Sequence, residues 1–142
     1  ENHEVESIIH TKDELSNGSL QEMMEAREID LIVLAGYLKK IPDDLIKAFP
    51  NKIVNIHPAL LPKFGGKGMY GMNVHRAVVE AEESESGPTI HYVNENYDEG
   101  AIIAQYKVAI DPTDSPEEVA SKVLKLEHQH FAQTIEHLIQ NF

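Results

Sequence analysis

Apolar residues along this chain fall into short runs that are separated by polar turns. The runs at residues 30–36 and 52–57 are centred on Ile, Val and Leu, which is typical of strands covered on both faces. A turn at residues 94–100 separates two further runs. The pattern predicts strands at residues 5–11, 30–36, 52–57, 89–93 and 102–110.

Helical spacing of apolar residues occurs between these runs. A helix is predicted at residues 20–29, one beginning at Pro42, and one at residues 73–84. The clearest begins after Ser115, where an N-cap serine, a proline and two glutamates form a capping box, and continues to the end of the chain. Alternating strands and helices predict a single α/β domain, with a mainly parallel, twisted sheet flanked by helices and one antiparallel hairpin near the end.

Composition narrows the class of protein. The chain has 142 residues, no cysteine and twice as many acidic as basic residues, 24 against 12, for a formal charge of -12. This balance argues against binding to nucleic acid, which favours a basic surface, and no apolar run approaches the ~20 residues of a membrane span. We expect a cytoplasmic domain. The spacing of the histidines His128, His130 and His137 is unlike a metal site, so no metal is expected.

Polar residues end the second buried strand, in the segment NIHPALLPKFGG. Asn55 and His57 lie two residues apart, so they share one face at the carboxyl end of a strand, where open α/β sheets bind ligands. The alternative is a buried pair that only satisfies loop backbone. Asp98, in the turn before another strand, favours a catalytic role for the pair, because a nearby carboxylate favours a charged imidazole. An amide and an imidazolium can together stabilise an oxyanion. No cysteine or serine elbow indicates a covalent acyl-enzyme.

Four segments, VLAGYL, NIHPALLPKF, TIHYVNENYDEGAII and the helix with LEH, resemble the formyltetrahydrofolate-dependent formyltransferases, and most closely those that act on glycinamide ribonucleotide. The resemblance covers nearly the whole chain and implies a Rossmann-like formyltransferase fold. It also implies that Asn55, His57 and Asp98 catalyse the transfer of a formyl group from 10-formyltetrahydrofolate to the amino group of glycinamide ribonucleotide, in purine biosynthesis.

The resemblance implies positions for both substrates. The folate pocket would be lined by Leu38, Lys39, Lys40, Ile41, Asn55, Asn94, Glu95, Asn96, Tyr97 and Asp98. Glycinamide ribonucleotide would contact the helix at Leu124, Lys125, Leu126 and Glu127. His91 would support Asp98, and His75 would lie near the site. The partners would be small molecules, with a homodimer possible.

The resemblance begins partway along the family's sequence. The chain is therefore expected to lack the family's N-terminal phosphate-binding portion and its C-terminal tail. The glycine-rich loop at residues 65–72 lacks the spacing of a phosphate-binding loop and is interpreted as a lid over the crevice. The nearest alternatives are a formyltetrahydrofolate hydrolase or another folate-dependent formyltransferase, and then a non-catalytic folate- or nucleotide-binding module.

Overall fold

A computed structural model describes residues 3–142 of the chain. The central element is a four-stranded sheet in the order β1-β2-β4-β5, and a two-stranded sheet pairs β3 with β6. The strands are β1 (Ile32–Leu34), β2 (Ile53–His57), β3 (Glu85–Ser86), β4 (Thr89–Tyr92), β5 (Ile102–Gln105) and β6 (Val108–Ala109).

Helices cover the sheet and connect its strands. They are α1 (Lys12–Ser16), α2 (Ser19–Ala26), α3 (Asp43–Ala48), α4 (Met72–Glu80) and α5 (Pro116–Gln140). The capping box predicted for α5 is present, since the Ser115 side chain accepts from the Glu118 amide and the Glu118 side chain accepts from the Ser115 amide. Within the described residues, no helix is both long and apolar enough to cross a membrane.

Two apolar clusters hold the layers together. The first packs α3 against the start of the central sheet and has as its buried members Ile32, Ile41, Leu45, Ile46, Phe49 and Ile53. The second packs α4 against α5 through Val78, Val119 and Val123, with Phe64 at its margin.

The α/β class is confirmed, but the sheet is less parallel than predicted. Only β1 and β2 run parallel, while β2–β4 and β4–β5 are antiparallel among the described strands. The apolar runs do not encode strand direction, because a buried strand of either orientation needs the same side chains. The single long strand predicted at residues 102–110 is divided into β5 and β6.

Two further expectations were wrong. Residues 5–11 form no strand, and Ile9 is 98% exposed there, because the segment has no strand beside it within residues 3–142. Strand β1 is not covered on both faces either, since Val33 is 41% exposed. The short helix α1 was missed, although Thr11 and Glu14 form a capping box at its start.

Candidate active site

The carboxyl end of β2 carries two polar side chains on one face. Asn55 and His57 are separated by one residue, and antiparallel pairing places His91 of β4 directly opposite Asn55 and Thr89 opposite His57. Directly opposed residues of neighbouring strands point to the same side of the sheet. Strand pairing therefore brings an amide and two imidazoles together at one end of the sheet, as expected for Asn55 and His57.

Asp98 reaches this face from the turn between β4 and β5. Its backbone is left-handed, with φ +55, a conformation that Asp tolerates better than most residues. The turn closes tightly at Gly100, where a Cβ atom would lie 1.6 Å from the carbonyl oxygen of Tyr92. Only glycine fits there, so the sequence Asp-Glu-Gly is what allows the turn to bring a carboxylate back over the strand.

His57 and Asp98 form a buried pair. The His57 Nδ1 lies 3.5 Å from the Asp98 Oδ1, with only 4% and 10% of the two side chains exposed. The other ring nitrogen, Nε2, donates to the carbonyl oxygen of Phe64 at 2.7 Å. The Asp98 Oδ2 accepts from the backbone amide of Gly66 at 2.9 Å. Each of the two side chains is thus held by one backbone group of the loop after β2.

His91 contacts Asn55 rather than Asp98. Its Nδ1 donates to the carbonyl of Tyr92 at 2.9 Å, which leaves the Nε2 lone pair to accept from the Asn55 Nδ2 at 3.3 Å. Burial is the largest cause that lowers the pKa of His91, so the ring is neutral at pH 7. The Asp98 Oδ1 lies 3.8 Å from His91 Nε2, which is too long for a hydrogen bond. His91 therefore hydrogen-bonds to Asn55 and lies close to Asp98, and its expected support of Asp98 stays a prediction.

A cavity of about 540 Å³ opens above these residues. Its volume lies within the ~300–1,000 Å³ range of ligand pockets. The segment after β1, the turn after β4 and the glycine-rich loop supply its walls. Among the residues expected at a folate pocket, those that line this cavity are Leu38, Lys39, Lys40, Ile41, Asn55, Asn94, Glu95, Asn96, Tyr97 and Asp98.

Helix α5 contributes one residue to the cavity. Glu127 lines it, whereas the three preceding positions expected at the substrate, Leu124, Lys125 and Leu126, do not. Successive helical residues are rotated by about 100°, so four in a row cannot face one cavity. Burial raises the pKa of Glu127, and His128 lowers it by a smaller amount. A half-buried acid at this position favours a ligand that offers hydrogen-bond donors or positive charge.

His75 of α4 lies at the cavity, as expected. It is 6% exposed, and its Nδ1 has no hydrogen-bond partner among residues 3–142. Burial, and to a lesser extent the nearby His57, lower the pKa of His75. A neutral His75 adds no positive charge beside His57.

Other lining residues were missed. Tyr37, just past the end of β1, lines the cavity with a buried hydroxyl that has no partner within the described residues, and burial raises its pKa. Its position just after the end of a predicted strand could have indicated that Tyr37 lines the ligand crevice. The loop at residues 66–71 also lines the cavity, and its interpretation as a lid stays a prediction. The hydrogen bond from His57 to the Phe64 carbonyl could not be predicted from the sequence, since every residue carries a backbone carbonyl.

The α/β fold thus places an imidazole, an amide and a carboxylate together at one cavity. The family model described as formyl transferase matches residues 3–135. The chain therefore belongs to the formyl transferase family.

Similar proteins carry a more particular name. The phosphoribosylglycinamide formyltransferase of Arabidopsis thaliana chloroplasts is 51% identical over 87% of this chain and 42% of its own length. The phosphoribosylglycinamide formyltransferase of Bacillus subtilis is 41% identical over 83% of this chain and 58% of its own length. The chain spans about half the length of the curated relatives that it matches.

Solved structures give the same family. The phosphoribosylglycinamide formyltransferase of Anaplasma phagocytophilum superposes with a TM-score of 0.87 at 28% identity, covering 99% of this chain and 66% of the other. The glycinamide ribonucleotide transformylase 1 of Geobacillus kaustophilus has a TM-score of 0.78 at 36% identity, covering 87% of this chain and 63% of the other.

Proposed function

We propose that the protein transfers a formyl group from 10-formyltetrahydrofolate to the amino group of glycinamide ribonucleotide, with Asn55, His57 and Asp98 as the catalytic residues. The observation that carries the proposal is the buried His57–Asp98 pair, with Asn55 beside it, at the floor of a cavity large enough for a ligand. The names of the relatives support this reaction over the others of the family.

The cavity fits a folate. Tyr37 and Ile41 give it apolar surface against which a flat ring system packs, and the turn at residues 94–98 offers backbone and amide groups for the polar edge of that ring. Lys39 and Lys40 are exposed beside the cavity, where they attract the carboxylates of a glutamate tail. Lys40 already lies 3.5 Å from Asp43, which leaves Lys39 as the freer cation.

10-Formyltetrahydrofolate supplies the formyl group. A bond forms between the substrate amine and the formyl carbon, and the bond from that carbon to the folate nitrogen breaks. One proton passes from the amine to the folate nitrogen. Asn55 has one N–H engaged with His91 and a second that is available to the formyl oxygen, where negative charge develops. Protonated His57 stabilises the same charge. The Asp98 carboxylate balances the imidazolium and receives or returns a proton.

Glu127 fits the amine substrate. It lines the cavity from α5, and its partly desolvated carboxyl gains most from a ligand that donates hydrogen bonds. The amino and hydroxyl groups of glycinamide ribonucleotide supply such donors. Glu127 is therefore proposed as the residue of α5 that contacts this substrate.

Two substitutions in the full-length protein test the reaction. His57→Ala and Asp98→Asn are each expected to reduce kcat by about 10²–10³-fold, because each removes charge stabilisation needed in the transition state. Folate binding, measured by titration, should remain close to wild type. His137→Ala and Asp30→Asn, at exposed positions, serve as matched controls.

The acceptor requirement separates this function from hydrolysis. Formyl release should depend on glycinamide ribonucleotide and should yield the formylated amine. Equal release without the amine would identify a hydrolase. Near-normal turnover in His57→Ala or Asp98→Asn would refute the catalytic assignment.

A further inference from the structure

The loop after β2 makes a sharp corner at residues 64–66, and this corner holds both members of the buried pair. The carbonyl of Phe64 accepts from His57 Nε2 at 2.7 Å, and the amide of Gly66 donates to Asp98 Oδ2 at 2.9 Å. The two bonded side chains come from different parts of the sequence, β2 and the turn after β4. One short backbone segment thus fixes the relative position of the imidazole and the carboxylate.

The Phe64 carbonyl also determines where the imidazole carries its proton. A carbonyl oxygen can only accept, so the Nε2 that contacts it must be protonated in both the neutral and the charged ring. The proton that His57 gains or loses is therefore the one on Nδ1. This nitrogen faces the Asp98 Oδ1 at 3.5 Å, a separation that leaves it free to contact a reacting group.

Packing keeps the corner in place. Phe64 adopts a left-handed backbone, with φ +55, and its side chain packs on the cluster formed by α4 and α5. Gly65 touches Asp98 so closely that a Cβ atom there would lie 3.2 Å from the Asp98 Cβ and 2.6 Å from the Leu61 Cδ2. A side chain at Gly65 would have to displace the end of the Leu61 side chain, and it would press against Asp98 unless the carboxylate or the corner shifted by a few tenths of an ångström.

We propose that residues 64–66 are the positioning segment of the His57–Asp98 pair, fixing the Nε2–H tautomer so that Nδ1, the ring nitrogen on the side of Asp98, is the one that exchanges a proton. The proposal rests on the proposed function only for the reaction served. The tautomer is a property of the resting protein, and it is measured without any substrate.

The first experiment reads the tautomer directly in the full chain. Nitrogen-15 NMR of the ring at alkaline pH should show a protonated Nε2 and an unprotonated Nδ1 for His57. The His57→Ala variant assigns the signals by their disappearance. A neutral His57 that carries its proton on Nδ1 overturns the proposal, whatever reaction the protein catalyses.

The second experiment moves the corner. Gly65→Ala is expected to lower kcat by about tenfold, with little change in KM for either substrate, because the required shift is smaller than the ~1 Å displacement that costs about 10²-fold. Its His57 signals should show a mixture of tautomers. Gly18→Ala is the control, because it adds the same Cβ atom into open space at a glycine that does not line the cavity, and its left-handed backbone, with φ +87, makes it a demanding control for loss of stability. Its kcat and tautomer should stay close to wild type.

A rescue variant separates positioning from general damage. Leu61→Val removes the Cδ2 atom that a Cβ at residue 65 would meet first, so the Leu61→Val/Gly65→Ala pair should recover most of the lost kcat and the single tautomer. Wild-type kcat and tautomer in folded Gly65→Ala overturn the positioning role. If Gly65→Ala does not fold, the double variant and the wild-type spectrum still decide the proposal. If catalysis is absent throughout, the tautomer remains the test, and only the proposed function fails.

Discussion

At the scale of single residues, the site depends on which imidazole nitrogen carries hydrogen. His57 and His91 lie on adjacent strands, but they donate to backbone carbonyls through different nitrogens, Nε2 in His57 and Nδ1 in His91. As a result His91 presents a lone pair to Asn55, while His57 presents its exchangeable position to Asp98. In the proposed reaction, these two chemically identical side chains serve different purposes, since His91 orients an amide and His57 takes part in proton movement.

A pair of substitutions at His91 tests its effect on Asn55. Gln places its Oε1 near the position of the imidazole Nε2 and can accept from Asn55, whereas the Asn oxygen lies near the position of Nδ1 and cannot. We expect His91→Asn to lower kcat by about 10²-fold through a misoriented Asn55, and His91→Gln to lower it much less. Steady-state kinetics of both variants check this, and equal losses would contradict the role.

At the scale of elements, the sequence pattern predicted most positions but not their relations. The capping box of α5 and the apolar run of β2 rely on local chemistry, so both could be predicted from neighbouring residues. The orientation of β4 against β2 depends on contacts distant in sequence, as does the burial of β1. Ile8 and Ile9 are exposed and form no strand, because an apolar pair becomes a strand only when another strand pairs with it.

In the site, too, residue types could be predicted from the sequence, whereas their contacts could not. Asn55, His57 and Asp98 could be selected as candidates from residue type and spacing, together with family resemblance. Their backbone partners, the Phe64 carbonyl and the Gly66 amide, could not, because every residue carries a carbonyl and every residue except proline carries an amide N–H. Among four consecutive residues of α5, only the helical rotation seen in the structure selects Glu127.

The capping boxes at the starts of α5 and α1 provide an element-scale prediction. Ser115→Ala should reduce the free energy of unfolding by about 1 kcal/mol, because α5 packs on α4 through buried Val119 and Val123. Thr11→Ala removes the same kind of cap from α1, which has no buried residue, so only local fraying should follow. Urea denaturation of both variants measures the difference. Equal losses would show that α1 is as strongly coupled to the fold as α5.

At the scale of the whole molecule, the cavity joins the two apolar clusters. Tyr37 packs on the cluster around α3, Phe64 on the cluster between α4 and α5, and His75 reaches the cavity from α4. The site is therefore complete only when both clusters are folded. Burial of neutral histidines between them has a cost that depends on pH, which links the chemistry of the site to the stability of the fold.

The free energy of unfolding should therefore decrease as the solution is acidified through the range of histidine titration. The pKa values of His75 and His91 are lowered in the folded chain, mainly by burial. Below the unfolded value of about 6.5, the unfolded chain binds protons that the folded chain does not, so stability rises with pH in this window and levels off above about pH 7. Glu127, with its raised pKa, acts in the opposite direction, because its stabilising contribution is lost as pH rises. A comparison of variants cancels the contribution of Glu127 to the pH dependence of stability, since every variant retains Glu127.

Urea denaturation of the wild type, His75→Gln and His137→Gln between about pH 5.5 and pH 8 isolates the contribution of His75. A glutamine does not titrate, so His75→Gln should lose less unfolding free energy on acidification than the wild type. His137 lies exposed on α5, and its substitution should leave the wild-type slope unchanged. Parallel curves for all three proteins would mean that acidification charges some other buried group, and His75 would then have to be protonated as readily in the fold as in the unfolded chain.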